Sequence, residues 1–148
     1  MNYKEIQFNL FHVDPRYTLV HCISLDCEMG AGIALEFRNR YPKMKESLLE
    51  CIKENETNYP TAILYKTSLE ENDVINMITK EKYFHKPTLR DFSKALDDVV
   101  KICTLYKINK LAMPIIGCGL DKLKWTDVKA LILTKFKDID IDILVCKN

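Results

Sequence analysis

The chain has 148 residues, of which 47% are hydrophobic and 29% are charged. Its 22 lysines and arginines nearly balance 21 aspartates and glutamates, so the formal net charge is +1. These values predict one globular domain, residues 1–148, that is large enough to bury a core. They exclude a global basic field for non-specific nucleic-acid binding and leave room only for a local positive groove.

The six cysteines form no C-x-x-C pair and have no spacing typical of a zinc site, so we expect no metal centre. Most lie in apolar runs, where a free thiol behaves as a small hydrophobic group. The first residues show no apolar signal region, and no run approaches the length of a membrane span. We therefore expect a cytoplasmic, monomeric protein with free thiols and no membrane association.

Strand-like and helical patterns alternate along the chain. The strand predictions cover residues 3–8, 18–24, 61–65, 73–79, 110–116 and 140–146. The helix predictions cover residues 33–40 and 45–55, a long helix from residue 88, and residues 125–136. The polar segment 66–72 predicts a hairpin or a short excursion between two strands. This order of elements predicts an α/β fold with a largely parallel or mixed sheet.

The long helix has the clearest pattern. Thr88 with Asp91 three residues later resembles the start of a capping box. The following apolar residues repeat at alternating spacings of four and three, which predicts a buried stripe of Phe92, Leu96, Val99, Cys103 and Tyr106.

Two glycine loops each follow a predicted strand and precede a predicted helix. They cover residues 25–32 and 117–121, and we expect positive φ angles at Gly117 and Gly119. Free backbone N–H groups and a helix N-terminus favour an anionic group such as phosphate. In open α/β sheets, ligands lie beyond the carboxyl ends of the strands, where both loops are expected. The alternative for an isolated G-x-G is a tight connection between core elements.

Neither loop matches the Walker pattern or a G-x-G-x-x-G fingerprint. Hydrolysis of a nucleoside triphosphate and hydride transfer are therefore disfavoured. Binding of a pyrophosphate between the two loops, through their backbone N–H groups, remains compatible with both sequences.

Taken singly, the polar residues near these loops have ordinary explanations. Lys80 lies at the start of a polar segment, where a lysine is usually solvated. Asp121 resembles an N-cap or turn residue ahead of the next helix. His21 lies in an apolar run and is predicted to be a packed, hydrogen-bonded core residue. The small side chain of Cys118 suits tight packing better than nucleophilic catalysis.

Five stretches occur in order and together carry a resemblance. They read NLF, HCISLDCEMGAGIA, ITK, HKPT and MPIIGCGLD, at residues 9–11, 21–34, 78–80, 85–88 and 113–121. The chain resembles the macrodomain family, and within it the branch of the terminal ADP-ribose protein glycohydrolases (O-acetyl-ADP-ribose deacylases). The resemblance extends from about Phe8 to Val145, which is nearly the whole chain.

The resemblance implies a three-layer α/β/α sandwich with a mixed central sheet and a cleft for ADP-ribose. It implies no metal and no cofactor. The first loop then follows the distal ribose and diphosphate, the second wraps the diphosphate from the other side, and the neighbourhood of Leu10 borders the adenine. Asp26 either orients the distal ribose or caps its loop. The implied substrate-binding residues are Asn9, Leu10, Ser24, Asp26, Met29, Gly30, Ala31, Gly32, Ile33, Thr79, Pro114, Ile116, Gly117, Cys118, Gly119 and Leu120.

The resemblance also implies two catalytic residues. In this branch a lysine after the Ile-Thr strand end attacks the anomeric carbon of the distal ribose, and that residue is Lys80. An aspartate that closes the second glycine motif assists, and that residue is Asp121. A lysine amine is a nucleophile only when neutral, and a carboxylate can move its proton or help to resolve the adduct.

Two positions depart from the family pattern on the adenosine side. Asn9 stands where many macrodomains have an aspartate, so its carbonyl can accept a hydrogen bond but adds no charge. Cys146 stands about where related sequences have an aromatic residue, which removes a stacking contact.

Three functions fit the resemblance. The first is a glycohydrolase that releases ADP-ribose from a modified acidic side chain of a protein or from nucleic acid. The second is a reader module that binds ADP-ribose without cleaving it. The third is a hydrolase of small derivatives such as O-acetyl-ADP-ribose or ADP-ribose 1″-phosphate. Lys80 and Asp121 favour an enzyme, because a reader has no need for a nucleophile.

Overall fold

The computed structural model describes all 148 residues and contains one six-stranded sheet with helices on both faces. The strands are β1 (Asn2–Gln7), β2 (Thr18–Ser24), β3 (Thr61–Tyr65), β4 (Val74–Lys80), β5 (Lys110–Met113) and β6 (Asp142–Lys147). The helices are a 3-10 turn at Leu10–His12, α1 (Gly32–Arg40), α2 (Met44–Glu54), α3 (Leu89–Leu105) and α4 (Trp125–Lys135).

The strand order is β1-β6-β5-β2-β4-β3. Neighbouring strands are parallel except for the edge strand β3, which pairs antiparallel with β4. The predicted mixed sheet is therefore confirmed, and the polar segment between β3 and β4 is a hairpin connection. Because five strands share one direction, their carboxyl ends meet at one edge of the sheet.

Side chains alternate along the central strands and divide the core into two layers. Val20 and Ile75 face one layer, which packs against α3 and α4. Leu19 and Val74 face the other layer, which packs against α1 and α2. This is the predicted three-layer α/β/α sandwich. No helix is both long enough and apolar enough to cross a membrane.

Four predicted strands have different ends in the structure, and two of these differences bear on the site. The strand predicted for residues 110–116 ends at Met113, because Pro114 has no N–H to continue the hydrogen-bonded ladder. Strand β4 includes Lys80, which was predicted as the first residue of the following segment. The difference matters for the site, because Lys80 is held in the sheet, where it aligns with Ser24 on β2.

Helix α3 begins as predicted, since the Thr88 hydroxyl accepts a hydrogen bond from the Asp91 N–H at 3.0 Å. Phe92 and Val99 are fully buried, and Leu96 and Cys103 in the same stripe are at most 2% exposed. Tyr106 is 53% exposed, so its place in the stripe was predicted wrongly. The helix ends at Leu105, and Tyr106 turns away as the C-cap.

His21 is a buried core residue, as predicted. Its Nε2 lies 2.6 Å from Asn76 Oδ1, and its ring stacks on Phe37 with a centroid distance of 3.8 Å. The Asn76 amide nitrogen faces the carbonyl of Ile63, so its oxygen is the acceptor for His21 and Nε2 carries the proton. Burial lowers the pKa of His21 to about 4, although the hydrogen bond with Asn76 acts in the opposite direction.

The neutral ring of His21 makes fold stability depend on pH. Its folded-state pKa of about 4 lies below the ordinary value of 6.5, so the stabilisation is complete above pH 6.5 and is lost as the pH falls towards 4. Between pH 7 and pH 4, the wild type should lose up to about 3 kcal/mol more unfolding free energy than His21→Gln. Urea unfolding at several pH values measures this difference, with the exposed His12→Gln as control. Parallel curves for wild type and His21→Gln would contradict it.

Candidate active site

A cleft lies where the chain changes sides of the sheet. Strand β2 continues into α1 and α2 on one face, whereas its neighbour β5 continues into α4 on the other face. The two outgoing connections diverge and leave a crevice beyond the carboxyl ends of the strands. A cavity of about 740 Å³ occupies this crevice and is lined by both glycine loops.

The N-terminus of α1 opens into the cleft. Its N-cap residue, Ala31, has no side chain to cap the helix, and residues 32–34 line the cavity. The first N–H groups of a helix have no partner within it, and the helix dipole adds partial positive charge at that end. This side of the cleft is therefore suited to an anion such as a diphosphate.

The first glycine loop is held by Asp26. Its carboxylate accepts hydrogen bonds from the N–H groups of Glu28 at 3.2 Å and Tyr83 at 3.1 Å, and from the Ser24 hydroxyl. Burial acts to raise the pKa of Asp26, but these hydrogen bonds outweigh it and lower the pKa. Asp26 is absent from the cavity wall. Of the two predicted roles, the structure gives it that of a loop cap.

The second loop turns at Gly117, whose φ is +74°. A Cβ at this position would lie 3.0 Å from Phe92 Cε2 and 3.2 Å from Leu123 Cδ1. Gly119 does not have the predicted positive φ, and an added Cβ there would have no atom within 4 Å. One left-handed residue is enough, because the hydrogen bond from Leu123 N–H to the Gly117 carbonyl, at 2.9 Å, closes the turn.

The two loops touch across the cleft. A Cβ on Gly32, whose φ is +58°, would lie 3.2 Å from Leu120 Cδ1. Lys86 donates a hydrogen bond from Nζ to the Leu120 carbonyl at 2.5 Å and so ties the second loop to the segment after β4.

Lys80 and Asp121 meet on the cavity wall. Lys80 Nζ lies 2.6 Å from Asp121 Oδ1, and each side chain is only 12% exposed. In every other ion pair of the protein, at least one side chain is more than one-third exposed. Because burying two charges is costly, such a pair is weak evidence for stability and marks a candidate site for chemistry.

Comparisons with known proteins agree with this architecture. The family model described as Macro domain matches residues 20–132. The Bos taurus protein named ADP-ribose glycohydrolase OARD1 is 37% identical over 95% of this chain and 88% of its own length. This chain belongs to the macrodomain family.

Two solved structures share the macrodomain fold over almost the entire chain. The macrodomain of Mycobacterium tuberculosis DarG has a TM-score of 0.88 at 25% identity, with 97% of this chain and 96% of that chain covered. Thermosipho africanus DarTG in complex with ADP-ribose has a TM-score of 0.86 at 22% identity, with 99% of this chain and 42% of that chain covered.

The macrodomain cleft brings together most of the predicted residues. Besides the Lys80–Asp121 pair, these are Ser24, Met29, Gly30, Ala31, Gly32, Ile33, Pro114, Ile116, Gly117, Gly119 and Leu120. Thr79 is fully buried and outside the cavity wall, because alternation along β4 turns it away from the cleft. Cys118 is also outside the wall, and its thiol donates to the Ile116 carbonyl at 3.3 Å.

Asn9 and Leu10 line a smaller cavity of about 220 Å³. It shares Ile33, Pro114 and Ile115 with the wall of the main cleft, so the two cavities adjoin. Asn9 Oδ1 accepts a hydrogen bond from the Phe11 N–H at 2.9 Å and caps the 3-10 turn.

Sequence reasoning missed four polar or aromatic residues of the cavity wall: His21, Glu28, Tyr83 and Lys86. Tyr83 and Lys86 had a usable signal, since an aromatic residue among charges directly after a strand end is unusual for a solvated segment. Cys22, also on the wall, is a poor nucleophile, because burial and the nearby Asp121 raise the pKa of its thiol well above the usual value.

Gly117 and Gly119 should respond differently to the same substitution. Gly117→Ala should lower the unfolding free energy by roughly 1–3 kcal/mol, because alanine is strained at positive φ and its methyl group meets Phe92. Gly119→Ala should stay within about 0.5 kcal/mol of wild type. Urea unfolding of both variants measures the difference, and equal losses would refute the assigned turn geometry.

Proposed function

We propose that this macrodomain is an ADP-ribosyl glycohydrolase, which releases ADP-ribose from modified acidic side chains or nucleic acid. The observation that carries the proposal is the buried pair of Lys80 and Asp121 at 2.6 Å on the wall of a diphosphate-sized cleft. A relative named as an ADP-ribose glycohydrolase and a fold neighbour solved with ADP-ribose support it.

The shape of the two cavities supports one orientation of ADP-ribose. The diphosphate lies between the N-terminus of α1 and the second glycine loop, where free N–H groups replace its water. The adenosine extends into the smaller cavity beside Asn9 and Leu10. The distal ribose then points towards Lys80 and Asp121. Asn9 Oδ1 keeps one free lone pair for an adenine amine, since Phe11 N–H uses the other.

The chemistry begins with a proton transfer within the pair. Asp121 takes a proton from Lys80, and the neutral amine attacks the anomeric carbon of the distal ribose. A bond forms between Nζ and this carbon while the bond to the modified group breaks, and its oxygen or nitrogen leaves with the electron pair and takes the proton from Asp121. The new ammonium nitrogen gives one proton to the ring oxygen as the ribose opens to a protonated Schiff base. Water then adds to this carbon with Asp121 as its base, and ADP-ribose departs as Asp121 returns the proton to the lysine nitrogen.

A hydrolase of small ADP-ribose derivatives would use the same cleft and the same lysine, so only substrates can separate it from the proposed function. A reader module is less well supported. Nothing in binding alone requires a lysine and an aspartate that are both 12% exposed at the end of the cleft.

ADP-ribose should bind this macrodomain, and Lys80→Ala should bind it equally well while losing hydrolysis. Saturating ADP-ribose should raise the melting temperature of both proteins, because the ligand binds only the native state. ATP should have little effect. Release from glutamate-linked, DNA-linked and acetyl-linked ADP-ribose should fall on the order of 1000-fold in Lys80→Ala.

The exposed Lys137→Ala is the matched control and should leave both measurements unchanged. Near-wild-type turnover by Lys80→Ala would exclude the lysine mechanism and leave attack by water.

Asp121→Ala should fail at a different step from Lys80→Ala. Asp121 acts twice in this scheme, as the base for Lys80 and then for the water that resolves the adduct, so its loss should slow the attack and then leave ADP-ribose attached to Lys80. Intact-protein mass spectrometry after incubation with substrate, with borohydride to trap a Schiff base, detects this species. Peptide mapping should locate it at Lys80. An inactive Asp121→Ala without an adduct would instead assign Asp121 to the first proton transfer or to binding.

A further inference from the structure

Three aromatic rings stand exposed in the segment that follows Lys80. Tyr83 is 58% exposed and Phe84 is 65% exposed, and their ring centroids are 5.3 Å apart in an edge-to-face arrangement. The His85 ring lies 4.8 Å from Phe84. We refer to residues 82–86 as the lip. Apolar rings on a surface of this kind mark an interaction site more often than isolated exposed residues do.

The lip is held in place at the mouth of the cleft. The Tyr83 N–H donates to Asp26 at 3.1 Å, and Lys86 Nζ reaches the Leu120 carbonyl at 2.5 Å. Within the lip, the Lys82 N–H donates to His85 Nδ1 at 3.3 Å. Tyr83 lines the cleft, whereas Phe84 lies outside its wall. The backbone that carries the rings is therefore held in place without a partner, which lowers the entropy cost of binding.

Four lysines outside any ion pair lie in the lip or in the loop that the lip contacts. Lys82 and Lys86 belong to the lip, and Lys122 and Lys124 follow the second glycine loop, with which the lip is in contact through Leu120. None of these four lysines takes part in an ion pair. Segments 81–86 and 122–124 hold these four lysines and one acidic residue, Glu81, which gives a net charge of +3. Asp26, which accepts from the Tyr83 N–H, adds one negative charge beside them, so positive charge remains in excess in a chain with a net charge of only +1.

We propose that the lip binds single-stranded nucleic acid next to the nucleotide that carries ADP-ribose. This inference rests on the proposed glycohydrolase function and selects nucleic acid as its substrate class. The lip starts two residues after Lys80, so it borders the end of the cleft from which the leaving group departs. A base that flanks the modified nucleotide stacks on Phe84, and the lysines neutralise the neighbouring phosphates.

The combination of rings and lysines favours nucleic acid over an acidic peptide. An acidic peptide is attracted by the lysines but gains little from exposed edge-to-face rings. Every nucleobase has a flat face that stacks on an aromatic ring, so such a contact tolerates any sequence. Positive charge beside aromatic rings is the arrangement that proteins use for single strands.

The test compares one linkage with and without flanking nucleotides. The substrates are an ADP-ribosylated single-stranded oligonucleotide of about 12 nucleotides, the same ADP-ribosylated nucleoside alone, and a glutamate-linked peptide. Phe84→Ala should raise the KM for the oligonucleotide by at least about fivefold. Its KM for the nucleoside and for the peptide should stay within about twofold of wild type.

Two further variants separate stacking from a structural effect. Phe84→Tyr should restore the low KM, because it restores the ring, whereas Phe84→Leu should not. Tyr106→Ala removes another ring that is more than half exposed, at the far end of α3, about 25 Å along the helix, and should change nothing. Equal losses on all three substrates, no loss on any, or a loss confined to the peptide would overturn the proposal, the last in favour of a protein substrate.

Binding of the unmodified oligonucleotide tests the lip independently of hydrolysis. By fluorescence anisotropy, Phe84→Ala should weaken binding at least about fivefold. Lys82→Gln should reduce the slope of log K against log salt concentration by about 1, because one fewer counterion is released on binding. The exposed Lys137→Gln is the charge control. If the wild type cleaves no substrate, the glycohydrolase proposal fails, and this binding experiment alone decides whether the lip binds nucleic acid. Unchanged binding in Phe84→Ala would then refute it.

Discussion

The ion pair between Lys80 and Asp121 is the contact on which the architecture of the site depends. It joins the last residue of β4 to the loop that follows β5, although 41 positions separate the two residues. Both charges are largely removed from water, and attraction within such a pair seldom repays their desolvation. The fold retains them where the strand ends converge, and so holds an amine and a carboxylate in contact on the cavity wall.

The sheet topology creates the space that this pair faces. The connection after β2 goes to one face and the connection after β5 goes to the other, so two neighbouring strands leave a gap between their loops. The same divergence opens the N-terminus of α1 to the cleft, where Ala31 offers no cap of its own. An anionic ligand can thus accept hydrogen bonds from the first N–H groups of α1, which have no partner within the helix.

Local patterns predicted the elements well, and they failed where partners distant in sequence decide the outcome. The strand at Thr18–Ser24 and the buried stripe that begins at Phe92 could be predicted, because hydrophobic periodicity and residue composition indicate them. Nothing near Gly119 reveals that Gly117 alone takes the positive φ, since Phe92 fixes that turn from another element. Likewise, the cap role of Asp26 requires Tyr83, 57 residues away. The pairing of Lys80 with Asp121 could be anticipated only through a family resemblance.

The distribution of basic side chains separates recognition of ADP-ribose from recognition of what it is attached to. Only two lysines, Lys80 and Lys86, line the cavity wall, and Lys80 is paired with Asp121. In the proposed function the diphosphate is met by backbone N–H groups and the dipole of α1, which add no net charge to the chain. Lysines outside any ion pair lie instead at the lip and just beyond the second loop. Under both proposals, a chain of almost zero net charge binds one anion with its backbone and a second, larger one with its lysines.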